Sequence, residues 1–170
     1  MRFLSDEAAQ LAPYTPGEQP QDAQYIKLNT NESPFPPSPR VVKALSQAEI
    51  LKLNLYSDPT CGVLTNAIAA RYGLRRENVL AANGSDEVLA FAFRAFCGAG
   101  RGVAYPDITY GFYQAQTALF GLTAAVIPLR EDFTLAVEDY LSFLGTVVIA
   151  NPNAPTGIAV PRTDIQRLVE

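Results

Sequence analysis

No histidine occurs anywhere in this chain, so imidazole chemistry is excluded from it. Acid–base work is left to carboxylates, lysine, tyrosine or a bound cofactor. Lysine is scarce as well: Lys27, Lys43 and Lys52 stand against ten arginines, of which only Arg75 and Arg76 are adjacent. With a formal net charge of −4, that thin scatter argues against nucleic acid or an anionic membrane as the main partner. Only Cys61 and Cys97 carry thiols, without metal or redox spacing, and such a pair suits a reducing cytoplasm better than a disulfide scaffold. No apolar run is long enough to span a bilayer, and residues 1–12 lack a signal-peptide core. Neither G-x-G-x-x-G after a strand nor G-x-x-x-x-G-K-[ST] is present, which makes a nucleotide site the weaker reading.

What is present is enough apolar material for a real core: 48% of the 170 residues are hydrophobic and 18% are charged. Residues 1–36 read as an extended arm, punctuated by Pro13, Pro16, Pro20, Pro34 and Pro36. Ser38-Pro39 gives a cap followed by proline at the first helical position, and Val41, Val42, Leu45 and Ala48 predict a helix to about Leu53. Thr60 is expected to cap a second helix that stops at Gly73, with Leu64, Ala67, Ile68 and Tyr72 facing inward. Beyond it, short apolar strands alternate with helices. Strands are expected at 79–82, 102–105, 123–128 and 146–150, with helices at 85–97, 110–120, 136–143 and from Thr163. The 85–97 helix is apolar nearly all round and should be buried. The alternation predicts an α/β layered fold with a mainly parallel sheet.

Parallel sheets of this kind bind ligands beyond the carboxyl ends of their strands. Three loops fall there. The first is Asn83-Gly84-Ser85-Asp86-Glu87, whose helix start would point unpaired N–H groups outward, as a phosphate requires. Ser, Asp and Glu also favour the first turn of any helix, so that stretch alone leaves both readings open. The second loop runs from Pro106 through Thr109-Tyr110-Gly111 to Tyr113, and the third is Asn151-Pro152-Asn153-Ala154-Pro155-Thr156-Gly157. Together they offer backbone donors, an aromatic face and side-chain amides, a set that suits a planar, phosphorylated heteroaromatic ligand.

The third loop resembles the N-P-T-G loop of the fold-type I pyridoxal-phosphate aminotransferases. Asn83-Gly84-Ser85-Asp86-Glu87 resembles the phosphate loop of one branch, the histidinol-phosphate aminotransferases. Further matches follow in order: Pro13-Tyr14-Thr15-Pro16-Gly17-Glu18, Asn29-Thr30-Asn31-Glu32-Ser33-Pro34, Tyr56-Ser57-Asp58-Pro59 and Arg94-Ala95-Phe96-Cys97. The resemblance implies a three-layer α/β fold with an extended N-terminal arm. In that division residues 1–50 are the arm and the start of a small domain, and 51–170 are the first half of a large cofactor-binding domain. It implies pyridoxal 5'-phosphate as cofactor, held by Gly84, Ser85, Asp86 and Glu87, with Tyr110 stacked on its ring and Asn153 at its hydroxyl. Tyr56 would reach the phosphate of the neighbouring subunit in a homodimer, and Tyr14 and Asn31 would line the substrate pocket.

The implied activity is transamination between glutamate and imidazole acetol phosphate in cytoplasmic histidine biosynthesis. An aromatic aminotransferase or a phosphothreonine decarboxylase of the same fold is the near alternative, and a non-catalytic α/β interaction module the more distant one. One departure stands out: the family's usual Asn directly before Pro-Thr-Gly is Ala154 here. Alanine cannot make the hydrogen bond to the ring hydroxyl, so Asn153 or a water is expected to supply it. The Schiff-base lysine is expected beyond Glu170, and the 170 residues alone are expected to be inactive.

Overall fold

The computed structural model describes residues 9, 11, 22, 25–45, 50–98 and 100–170. Two compact units are distinguished, one between Ala12 and Ala81 and the other from Ala82 to Glu170. In the first, helix α1 (Pro39–Ala44) starts as expected, with Ser38 Oγ accepting from the Val41 N–H at 3.4 Å and Pro39 in the first turn. It does not continue to Leu53. None of its residues is buried, and so short a helix has no packed face to extend it.

Helix α2 (Gly62–Tyr72) ends as expected at Gly73, whose φ of 65° is the left-handed stop that glycine adopts without strain. Its start differs from expectation. Cys61 precedes it, and Asp58 is the working cap, accepting from Thr60 N–H at 2.9 Å, Thr60 Oγ1 at 2.8 Å and Gly62 N–H at 2.6 Å. Thr60 therefore serves the cap as a donor. The inward face is also different: Thr65 and Ala69 are buried, whereas Leu64 and Tyr72 are exposed. Thr65 can be buried because its hydroxyl is satisfied by the Cys61 carbonyl at 3.1 Å.

Past a 3₁₀ turn at Arg76–Asn78, the expected strand at 79–82 does not form. Val79 is extended, but the segment has no ladder partner among the described residues, and an unpaired extended chain is not a strand. In the second unit, helix α3 (Gly84–Phe96) leads into strand β1 (Val103–Pro106), helix α4 (Phe112–Leu119) and strand β2 (Ala124–Ile127). The expected helix at 136–143 is a 3₁₀ turn, Val137–Tyr140. Strand β3 (Thr146–Val147) and helix α5 (Arg162–Val169) follow.

The sheet is parallel, as the alternation predicts, in the order β2-β1-β3, with Val103 opposite both Ala124 and Thr146. All four residues of β1 are buried, the mark of a central strand covered on both faces. Phe93 of α3 and Tyr113 of α4 stack 6.1 Å apart and close over β1, with Cys97, Val103 and Tyr105 completing the core. The expected all-round burial of α3 is not observed. Phe93 is 1% exposed, but Phe91 and Phe96 are 51% and 67% exposed, because only one side of the helix meets the sheet and α4.

Two outcomes test this packing. Phe93→Ala should lower stability by about 3–5 kcal/mol in urea unfolding, while Phe96→Ala stays within about 0.5 kcal/mol of the parent. The three hydrogen bonds to Asp58 hold its carboxyl below its ordinary value of 3.8. Its contribution is therefore present above that value and is lost as pH falls through the lowered one. The Gly62 amide resonance should titrate with a midpoint below 3.8.

Candidate functional site

The carboxyl ends of β1 and β3 deliver two loops to one edge of the sheet, and α3 begins within reach of the first of them. At the start of α3 four polar groups are sorted by geometry. Glu87 folds back and its Oε2 accepts from the Asn83 N–H at 2.7 Å and from Asn83 Nδ2 at 3.3 Å. The Gly84 N–H donates to the Ala82 carbonyl at 3.0 Å. Asp86 Oδ1 turns aside to accept from the Tyr110 hydroxyl at 2.8 Å. The Ser85 and Asp86 N–H groups are then left without an acceptor among the described residues, at the positive end of a thirteen-residue helix. Gly84 keeps the approach open: it sits at φ 79°, and a Cβ there would meet nothing within 4 Å.

The loop after β1 is fixed at its root by Asp107, whose N–H donates to the Ile127 carbonyl at 3.0 Å. Its Oδ1 accepts from the N–H groups of Ile108 and Leu129, which ties the loop to the end of β2. Tyr110 follows, partly exposed, with its ring edge-on to Tyr113 at 5.9 Å. Tyr113 is rooted in the core against Phe93 and Tyr105, and burial pushes its phenol above the ordinary range. It therefore stays neutral and serves as a platform for Tyr110.

The loop after β3 closes on itself and on its neighbour. Asn151 clasps Val160 in both directions, donating from Nδ2 to its carbonyl at 3.1 Å and accepting from its N–H at 2.9 Å. Asn153 is buried, and its Nδ2 donates to the Ile108 carbonyl at 2.9 Å and to Thr156 Oγ1 at 3.2 Å. Its Oδ1 accepts from Thr109 Oγ1 at 2.8 Å. Both amide hydrogens are thus committed within the protein.

The structure accordingly brings Gly84, Ser85, Asp86, Glu87 and Tyr110 together and joins Asn153 to them through Thr109. Tyr56 lies in the other unit and is fully exposed; Asn31 lies there too, in a turn at φ 53°. Tyr14 lies outside the described residues. The sequence places Asp107 and Thr109 in this loop without giving either a role of its own. A cavity of about 410 Å³ is lined by Leu129, Phe133, Leu135, Asn153, Ile158 and Val160. It touches neither α3 nor Tyr110 and shares Asn153 with this cradle.

Residues 23–170 match the family described as Aminotransferase class I and II. The chain belongs to that aminotransferase family. Among its relatives is a histidinol-phosphate aminotransferase of Brachyspira hyodysenteriae, 48% identical over 98% of this chain and 47% of that protein. One from a Marinomonas species is also 48% identical, over 99% of this chain and 48% of that protein. The chain thus spans about half the length of the curated relatives it matches. A solved histidinol-phosphate aminotransferase from Sinorhizobium meliloti, in complex with pyridoxal-5'-phosphate, is 28% identical. It superposes with a TM-score of 0.72 over 82% of this chain and 40% of that one. An aminotransferase from Mycobacterium tuberculosis gives 0.66 at 25% identity, over 76% of this chain and 37% of that one. The α/β layering with its parallel sheet is therefore the aminotransferase fold.

Because the space around Gly84 is open, the only cost of a side chain there is the positive φ. Gly84→Ala should lower stability by about 1–2 kcal/mol. Gly98→Ala, where φ is ordinary and the space is equally open, should be close to neutral by the same denaturation measurement.

Proposed function

We propose that this chain carries the cofactor cradle of a pyridoxal 5'-phosphate-dependent aminotransferase of the histidinol-phosphate type. The whole protein would move an amino group between glutamate and imidazole acetol phosphate in histidine biosynthesis. The observation that carries the reading is the pair of open amides at Ser85 and Asp86, set beside Tyr110 in a chain 48% identical to enzymes of that name.

The residues present fit the group. A phosphate ester needs N–H donors and a positive helix end, and α3 offers both with its two acidic side chains turned away. A planar pyridine ring needs an aromatic face, and Tyr110 is held at its hydroxyl by Asp86 and at its ring by Tyr113. When bound, the cofactor supplies the electron sink for amino-group transfer. The chain's own residues do the holding: Gly84 gives access, Ser85 and Asp86 donate their amides, and Glu87 fixes the turn through Asn83. Asn153 would serve by gripping the Thr109 turn, from whose hydroxyl it accepts at 2.8 Å. Lys27, Lys43 and Lys52 all precede the cradle in sequence, and none is assigned the bond to the cofactor aldehyde.

In the same proposal Tyr56 donates its hydroxyl to the phosphate held by a second copy in a homodimer. Its full exposure supports that role, since the hydroxyl is accessible to a partner. The substrate contacts are assigned to Tyr14 and Asn31, and the enzyme is assigned to the cytoplasm. No helix among the described residues is long and apolar enough to cross a membrane.

Equilibrium dialysis of the 170-residue chain tests the cradle. Pyridoxal phosphate should bind at least ~10-fold more tightly than pyridoxal, which lacks the phosphate. The chain should show no turnover with glutamate and imidazole acetol phosphate. Equal affinity for the two compounds, or turnover by these residues alone, would overturn the proposal.

A further inference from the structure

The most heavily bonded side chain at the sheet's carboxyl edge is Asn153, and none of its bonds leaves the protein. Its carboxamide reaches the Ile108 carbonyl, the Thr109 hydroxyl and the Thr156 hydroxyl at 2.9, 2.8 and 3.2 Å. Its backbone is fixed as well, with its N–H on the Ile158 carbonyl at 2.9 Å and its carbonyl accepting from Gly157 N–H at 2.7 Å. The side chain is buried, so these bonds compete with little water. Ile108 and Thr109 immediately precede Tyr110, the residue whose hydroxyl meets Asp86 at the start of α3. A single amide therefore locks the loop after β3 to the loop after β1, forty-four residues earlier in the chain.

We infer that Asn153 is a positioning residue that acts through Tyr110: it sets the 108–110 turn so that the aromatic ring stands beside the open amides of α3. Both of its N–H groups are committed to Ile108 and Thr156, so it donates nothing to a ligand. This role rests on the cofactor reading above and adds a residue through which the ring, as distinct from the phosphate, is gripped.

A double-mutant cycle separates positioning from general structural support. Wild-type chain, Asn153→Ala, Tyr110→Ala and the double variant are titrated with pyridoxal phosphate, reading affinity and the circular dichroism induced in the cofactor band. Asn153→Ala should weaken binding by about tenfold and diminish the induced band in the Tyr110 background, but change affinity less than about twofold once Tyr110 is alanine. Asn153→Asp, which cannot donate to Ile108, should behave as Asn153→Ala does. Thr109→Val removes one bond only and serves if the Asn153 variants do not fold; it should show the same dependence on Tyr110.

Equal losses with and without Tyr110 would overturn the inference while leaving the cofactor reading standing. Failure of the wild-type chain to bind would overturn the cofactor reading, and the lock is then judged without ligand. Hydrogen exchange at the Tyr113 amide, which bonds the Tyr110 carbonyl at 3.1 Å, should quicken in Asn153→Ala relative to wild type. An unchanged rate would overturn the lock itself.

Discussion

Burial of β1 on both faces is the constraint from which the site follows. Val103 and Ala104 are fully inaccessible, Tyr105 nearly so, and Pro106 ends the strand where its successor must leave the sheet. β2 and β3 flank the strand in parallel, and α3 and α4 cover its Val103 and Tyr105 face. Parallel strands place their exits at one edge, so the loops after β1 and β3 meet there without any long excursion of chain. Phe93 and Tyr113 then matter twice. They close the core, and through Tyr113 they give Tyr110 a rigid surface to stand on.

At that edge the acidic residues are arranged by what they are prevented from doing. Asp86 and Glu87 would complement the dipole of α3 in any setting, and either could compete with an anion for the first-turn amides. Here one carboxylate is held by Tyr110 and the other by Asn83. What remains open among the described residues is backbone, at Ser85 and Asp86. Side-chain bonds thus decide whether an ordinary helix start is a closed cap or an open one.

Much of this was legible in the sequence. The run of short apolar strands and helices from Val103 onward is local, and each stretch carries its own periodicity, so the parallel sheet and the loops after β1 and β3 could be placed. Cooperative, long-range choices were not legible. Residues 79–82 have strand composition, but a strand exists only with a partner. Thr60 is as good a cap by type as Asp58, and only the geometry of Cys61 at φ 46° hands that role to Asp58. The α2 face was misread because periodicity weights large side chains, whereas the helix buries small Thr65 and Ala69. Asparagine in a loop offers free valences, which points Asn153 toward a ligand; its partners Ile108 and Thr109 lie too far away in sequence to be inferred.

The first turn of α3 and Tyr110 are proposed to form one ligand cradle. Amide and side-chain NMR of the labelled 170-residue chain, titrated with pyridoxal phosphate, tests it most directly. Saturable shifts are expected at the Ser85 and Asp86 amides and at the Tyr110 ring, with the residues around Phe133 and Val160 unmoved. Shifts confined to the Phe133–Val160 cavity, or none at Ser85 and Asp86, would contradict it.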